Sequence, residues 1–137
     1  MADFIVDLAK LDVSKPIADL EEIRRLNPQR HEMEQLTGIL LEDLEALSCA
    51  GYKEVTSNEF WCRGHMPGMP LMPGVIQLEA VAQLCSFFAL KHDLLGAEMV
   101  GFGGVDDVRF RNVVVPGDCL IVMIRFVKAR RNLSLIH

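Results

Sequence analysis

The spacing of apolar and polar positions predicts one long helix and a set of shorter extended runs. Residues 74–91 are apolar at twelve of eighteen positions, and no Gly or Pro follows Gly74 until Gly96. Pro73-Gly74 marks the start, because proline suits the first turn and cannot sit further in. A helix apolar on nearly every side is a buried helix, and eighteen residues are short for a membrane span of about twenty. The polar exceptions are Gln77, Glu79, Gln83 and Ser86. Glu79, Gln83 and Ser86 fall at i, i+4 and i+7, so they share one stripe.

The other elements follow from shorter patterns. Ser14-Lys15-Pro16 predicts a helix start, with Ile17, Leu20, Ile23 and Leu26 as its apolar stripe and Asn27-Pro28 as its end. Glu21-Glu22 followed by Arg24-Arg25 suits the helix dipole. This amphipathic helix is expected to plug one end of a sheet. Strands are expected over Met33–Glu42 with a bulge at Gly38, over Ala50–Thr56 continuing through Phe60–Arg63, and over Met99–Val105. Further strands are expected over Val108–Val115, Cys119–Lys128 and from Leu133 to the end, with turns at 43–46, 116–118 and 130–132. His31 and Glu32 fit a solvated strand edge. One buried helix and five or six antiparallel strands satisfy each other when the sheet wraps the helix, an α+β arrangement.

Composition narrows the picture. At 137 residues the chain is expected to be a single domain, 1–137, with residues 1–27 as an N-terminal helical segment. Half of its residues are hydrophobic and the net charge is −5, which argues against nucleic acid or an anionic membrane as partner. The first residues carry no basic stretch before an apolar one, so no signal peptide is expected and the cytoplasm is the expected location. The four cysteines show no Cys-x-x-Cys spacing, so no metal is expected and the thiols are read as free. Cys85, inside the long helix, is read as packing only. The glycines of Val100–Val105 lack the spacing and following helix of a dinucleotide fingerprint.

The candidate chemistry sits in residues 64–83. Pro67, Pro70 and Pro73 stiffen the loop, while Gly64, Gly68 and Gly74 allow close approach and unusual φ values. His65 lies in that loop, fourteen residues before Glu79. Taken singly, a loop histidine and a core glutamate are more often just hydrogen-bonded. Taken together with free N–H groups at the helix start near Gly74, they form a base, an acid and a site for developing negative charge.

These residues carry a resemblance. His65-Met66-Pro67-Gly68, Pro70, Met72-Pro73-Gly74-Val75, Glu79-Ala80 and Gln83 resemble the motif of the β-hydroxyacyl-acyl carrier protein dehydratases of the FabZ type. Val55-Thr56, Asn58-Glu59, Val108-Arg109-Phe110 and Val114-Val115-Pro116-Gly117-Asp118 extend the likeness over about residues 28–137. The resemblance implies the hotdog fold, a long helix wrapped by an antiparallel sheet. It implies a homodimer with a continuous sheet, found also as a trimer of dimers, in which His65 of one subunit faces Glu79 of the other. The implied reaction is loss of water from a (3R)-hydroxyacyl thioester to a trans-2-enoyl thioester in fatty acid biosynthesis. His65 is then the base and Glu79 the acid, the Gly74 N–H binds the thioester oxygen, and Gln83 and Gly68 support them. No cofactor is implied beyond the phosphopantetheine arm of acyl carrier protein, the acidic partner that a rim of Arg109, Arg111, Arg125, Lys128, Arg130 and Arg131 suits.

Two departures bear on these expectations. Where the family reads Arg-Tyr-Pro-Phe beside its acyl tunnel, this chain reads Arg30-His31-Glu32-Met33, which bears on chain length. The chain also ends one strand earlier than the family pattern, which implies an open sheet edge. Three other readings remain: an acyl-binding hotdog subunit without turnover, a dehydratase that also isomerises, and a thioesterase on the same fold. The isomerising branch typically carries Asp where this chain has Glu79.

Overall fold

The computed structural model describes residues 3–131 and 133–137. The expected turn at 130–132 thus falls partly outside the described residues, as does the very start of the chain. The elements in order are α1 (Leu20–Leu26), β1 (Gly38–Asp43), β2 (Ser48–Glu54), α2 (Gly74–Lys91), β3 (Cys119–Arg130) and β4 (Leu133–Ile136), with single 3-10 turns at Leu8–Lys10 and His31–Met33. The sheet runs β1-β2-β3-β4 with every pair antiparallel. The fold is α+β, one long helix against an antiparallel sheet, in keeping with the hotdog expectation.

β3 is the spine of the sheet. Cys119–Arg125 pair with β2, and Phe126–Arg130 pair with β4. Above it, Leu84, Phe87 and Phe88 of α2 are sealed from water together with Ile39, Cys49 and Ile124. Burying a side chain of this size contributes about 1.5–3 kcal/mol, so this cluster is the main source of stability. α2 has the length and mean hydropathy, 1.2, of a membrane span, yet its C-terminal half is the core of this fold. Its N-terminal half is open, with Val75 at 70% exposure, so the expected all-round burial holds for only half of the helix.

Several expected elements differ. α1 begins at Leu20, because the Asp19 carboxylate accepts the Glu22 N–H at 3.0 Å and caps the first turn. Ser14 instead closes a turn on Asp12, and the Ile17 N–H is taken by the Ile39 carbonyl at 2.8 Å, which makes 17–18 an edge contact of β1. The helix packs on α2 through buried Ile23. Residues 31–33 form a 3-10 turn, so His31 and Glu32 are exposed but lie on no strand. The bulge falls between Ile39 and Leu41, while Gly38 is needed because a Cβ there would stand 2.8 Å from the Tyr52 ring. Residues 60–63 are turn.

The largest difference is over 99–115, where two strands were expected. The chain runs there without sheet pairing, and residues 101–113 are all exposed. Residues 99–113 make no backbone–backbone hydrogen bond among the described residues. The alternation of apolar side chains is present, but among the described residues no strand pairs with the segment.

Candidate active site

A small second core builds the His65 loop. Val55, Trp61 and Met72 are buried against one another, with Ile76 of α2 and Leu120 of β3 packed beside them. Trp61 anchors the turn from inside, and its carbonyl accepts the N–H of Gly64 at 3.2 Å and of His65 at 2.8 Å. Beyond His65, Met66 and Met69 exchange backbone hydrogen bonds of 3.0 and 2.9 Å across Pro67-Gly68. Gly68 holds φ +76 at this tight turn, a conformation that favours glycine.

The His65 ring is oriented by one contact. Its Nδ1 lies 2.7 Å from the Leu71 carbonyl oxygen. A carbonyl only accepts, so Nδ1 carries a proton, and in the neutral ring the lone pair then belongs to Nε2. The half-buried ring therefore has a defined direction.

Gly74 is the first residue of α2. Among the described residues its N–H has no acceptor in the chain, and no side chain caps this helix end. The Phe110 ring lies over the position, so that a Cβ would stand 2.7 Å from ring carbons. A side chain at 74 would thus collide with the Phe110 ring.

Glu79 lies on α2 facing a cavity of about 450 Å³. Leu78, Val81, Ala82, Cys85 and Ser86 continue that wall, and residues 100–107 and 134–137 form the others. Gln83 holds the Glu79 carboxylate, its Nε2 donating to Oε1 at 2.9 Å. The same Nε2 donates to the Met33 carbonyl at 2.6 Å, and Gln83 Oε1 accepts the Gln35 N–H at 2.9 Å. Gln83 is 2% exposed, so these bonds leave its amide a single orientation. The 30–33 segment thus bears on the site through the Met33 carbonyl, and Gln29 lines the cavity directly.

Glu79 and Gln83 meet on α2 and Gly74 begins the same helix, while His65 lies on the preceding loop. His65 and Gly74 are not among the residues lining the Glu79 cavity. Cys85, read from sequence as packing only, also forms cavity wall, and burial pushes its thiol up to about 12, so it stays protonated. Among the described residues no three His, Cys, Asp or Glu side chains converge as a metal ion requires. The six cations of the expected rim are all exposed. Arg109 pairs with Asp107 at 3.0 Å, and Arg125 donates to the Ile5 carbonyl at 2.9 Å. Sequence reasoning missed the Leu71 carbonyl and the Met33 and Gln35 backbone partners, since backbone groups leave no mark in residue identity.

Known proteins share this arrangement of sequence. A family model of the FabA-like domain matches residues 27–137. A protein of Clostridium novyi (strain NT) is 38% identical over 115 residues, covering 81% of this chain and 78% of its own. One of Mannheimia succiniciproducens is 37% identical over 119 residues, covering 86% and 79%. One of Clostridium botulinum (strain Loch Maree / Type A3) is 38% identical over 112 residues, covering 82% and 77%. Each of the three is named 3-hydroxyacyl-acyl-carrier-protein dehydratase FabZ.

Proposed function

The chain belongs to the FabA-like domain family, and from that premise we propose that it removes water from (3R)-hydroxyacyl thioesters carried on acyl carrier protein, giving trans-2-enoyl thioesters for fatty acid synthesis. The observation that carries the reading is the His65 ring, whose Nδ1–H is spent on Leu71 and whose Nε2 is left as a base. Nε2 takes the proton from C2 of the substrate. The electrons move toward the thioester carbonyl, whose oxygen is met by the free N–H of Gly74. The C3–O bond breaks as the Glu79 carboxyl, held by Gln83, protonates the leaving hydroxyl. C2=C3 forms, water leaves, and proton transfer from His65 back to Glu79 resets the pair. Elimination beside a thioester needs only a base, an acid and a polarised carbonyl, and two side chains with one backbone N–H supply all three.

The working unit in this reading is a homodimer, with His65 from one copy and Glu79 from the other. Three observations support it. His65 does not line the Glu79 cavity of its own chain. Residues 99–113 leave their backbone groups open, and Phe102, Phe110 and Val113 are 61%, 52% and 67% exposed. Unpaired extended backbone beside exposed apolar side chains is an edge awaiting a partner strand. Lys128, Arg130 and Arg131 offer the acidic carrier a cationic approach.

The test is product analysis with a (3R)-hydroxyacyl group on acyl carrier protein. A trans-2-enoyl product alone is expected. A 3-enoyl isomer, release of free thiol, or binding without chemistry would each replace this reading by another activity. His65→Ala and Glu79→Gln should each lower turnover by about 10²–10⁴-fold, the usual weight of a general base or acid.

A further inference from the structure

A buried ion pair lies outside the residues assigned above. Lys53, on β2, is only 5% exposed. Its Nζ stands 3.0 Å from Oε1 of Glu59. The other carboxylate oxygen, Oε2, accepts the Thr56 N–H at 3.0 Å and the Thr56 hydroxyl at 3.1 Å. Burial alone would raise the Glu59 carboxyl, but the Thr56 bonds and the Lys53 charge outweigh it and hold the group below its ordinary value. Charges taken out of water lose to desolvation much of what they gain from attraction, and an apolar pair of the same volume often serves stability as well. The reason for a pair here is better sought in geometry.

What the pair anchors is the approach to His65. From Glu59 to His65 the chain is a run of turns with no strand partner. Three fastenings hold it. Glu59 is tied to β2 at the start, and its carbonyl accepts the Cys62 N–H at 3.1 Å. Trp61 is buried in the middle, and its carbonyl takes the His65 N–H. At the end, the His65 carbonyl accepts the Leu71 N–H at 2.8 Å while the ring donates to the Leu71 carbonyl. The Lys53 end is rigid, since β2 is registered residue by residue on β3, with Lys53 opposite Leu120. Neither Lys53 nor Glu59 lines the cavity beside Glu79.

We propose that Lys53 and Glu59 are positioning residues, clamping the turn that carries His65 to the sheet so that the imidazole keeps its bond to Leu71 and its Nε2 keeps its aim at the substrate. The proposal rests on the dehydratase reading of His65. It acts through the ring alone, so binding of the substrate should be spared.

The test uses the full chain carrying Lys53→Met and Glu59→Gln together, which removes both charges and leaves no unpaired one buried. Nitrogen NMR of the imidazoles, assigned with His65→Ala, reads the tautomer of His65. Steady-state rates on a (3R)-hydroxyacyl thioester are taken in parallel. The unaltered protein should show His65 as the Nδ1–H form alone. The double variant should keep a cooperative melting transition, show mixed tautomers, and lose about 10- to 100-fold in kcat, as expected for a misaimed base, with KM within about twofold. An unchanged tautomer and kcat in the double variant would overturn the proposal. So would a fall in kcat that merely follows loss of folded protein. Should the unaltered protein turn over no hydroxyacyl thioester, the dehydratase reading fails by itself, and the tautomer comparison still decides whether the clamp exists.

Discussion

The direction of the His65 ring, the proposed base, depends on an oxygen six residues away. The Leu71 carbonyl fixes which nitrogen of His65 is protonated, and the Gln83 amide does the same service for the direction of the Glu79 carboxylate. Gln83 is itself set by the backbone of Met33 and Gln35, and the segment bearing them is tied down next door. There, Arg24 grips Glu34 in a fork of 2.7 and 2.9 Å. That hydrogen-bonded guanidinium holds the Glu34 carboxyl below its ordinary value, against the opposing effect of burial. A carboxyl whose folded pKa is depressed contributes stability that is present above its unfolded value, about 4.3, and lost as the pH falls through the folded value. Urea unfolding of the unaltered protein and of Glu34→Gln should therefore differ most near neutral pH. The gap should close once the pH has fallen through the folded value of Glu34, where both side chains are neutral. A gap that is constant with pH would mean that the ion pair contributes nothing. Of this scale, the sequence made His65, Glu79, Gln83, Gly68 and Gly74 legible as candidates through proline, glycine and helical spacing. The Lys53–Glu59 pair stayed hidden. β2 is buried over Ser48–Lys53, and no alternation marks Lys53 as facing inward toward a loop carboxylate.

At the scale of elements, α2 was legible to the residue, Gly74 to Lys91, because a proline-glycine boundary precedes an uninterrupted apolar run. Its burial was legible only in part. The helix is core from Gln83 to Ala89 and half-open before that, so composition told what it needs rather than what one chain provides. Gly38 was legible as a special position on β1 but for the wrong reason. It is a close-packing site, where an added methyl would meet the Tyr52 ring at 2.8 Å and the Ala18 carbonyl at 3.1 Å. Gly38→Ala should lower stability by about 1–3 kcal/mol, the usual consequence of overpacking, visible as a lower thermal midpoint. An unchanged midpoint would show that the Tyr52 ring gives way freely. The strands expected between 99 and 115 were read from apolar alternation, which reports a face to be covered and not the identity of the cover. The turn at 60–63 and the 3-10 turn at 31–33 depart from expectation because turn contacts take backbone groups that pairing would need, while past Glu54 the Val55 backbone still bonds Gly117 and Asp118 and the Thr56 N–H goes to the Glu59 carboxylate.

The whole molecule carries two proposed half-sites, the His65 ring on its stiff turn and the Glu79 carboxylate beside a cavity that His65 does not line. An open segment, 99–113, forms cavity wall over 100–107 and has its backbone groups unspent. A second copy related by a two-fold axis would cover that segment and bring each half-site to its complement, since a two-fold interface repeats every contact twice. The sequence held this only through its family likeness; a single chain's pattern does not say which of its own copies' edges will pair. The direct measurement is complementation between dead variants. His65→Ala and Glu79→Gln proteins, each inactive alone, are mixed, dissociated and reassociated, and assayed for dehydration. If each site takes its base from one subunit and its acid from the other, half the dimers are mixed and each has one intact site, so activity should return to about a quarter of the unaltered level. A mixture as inactive as its components, with mixed dimers shown to be present, would place base and acid on the same chain and contradict the account.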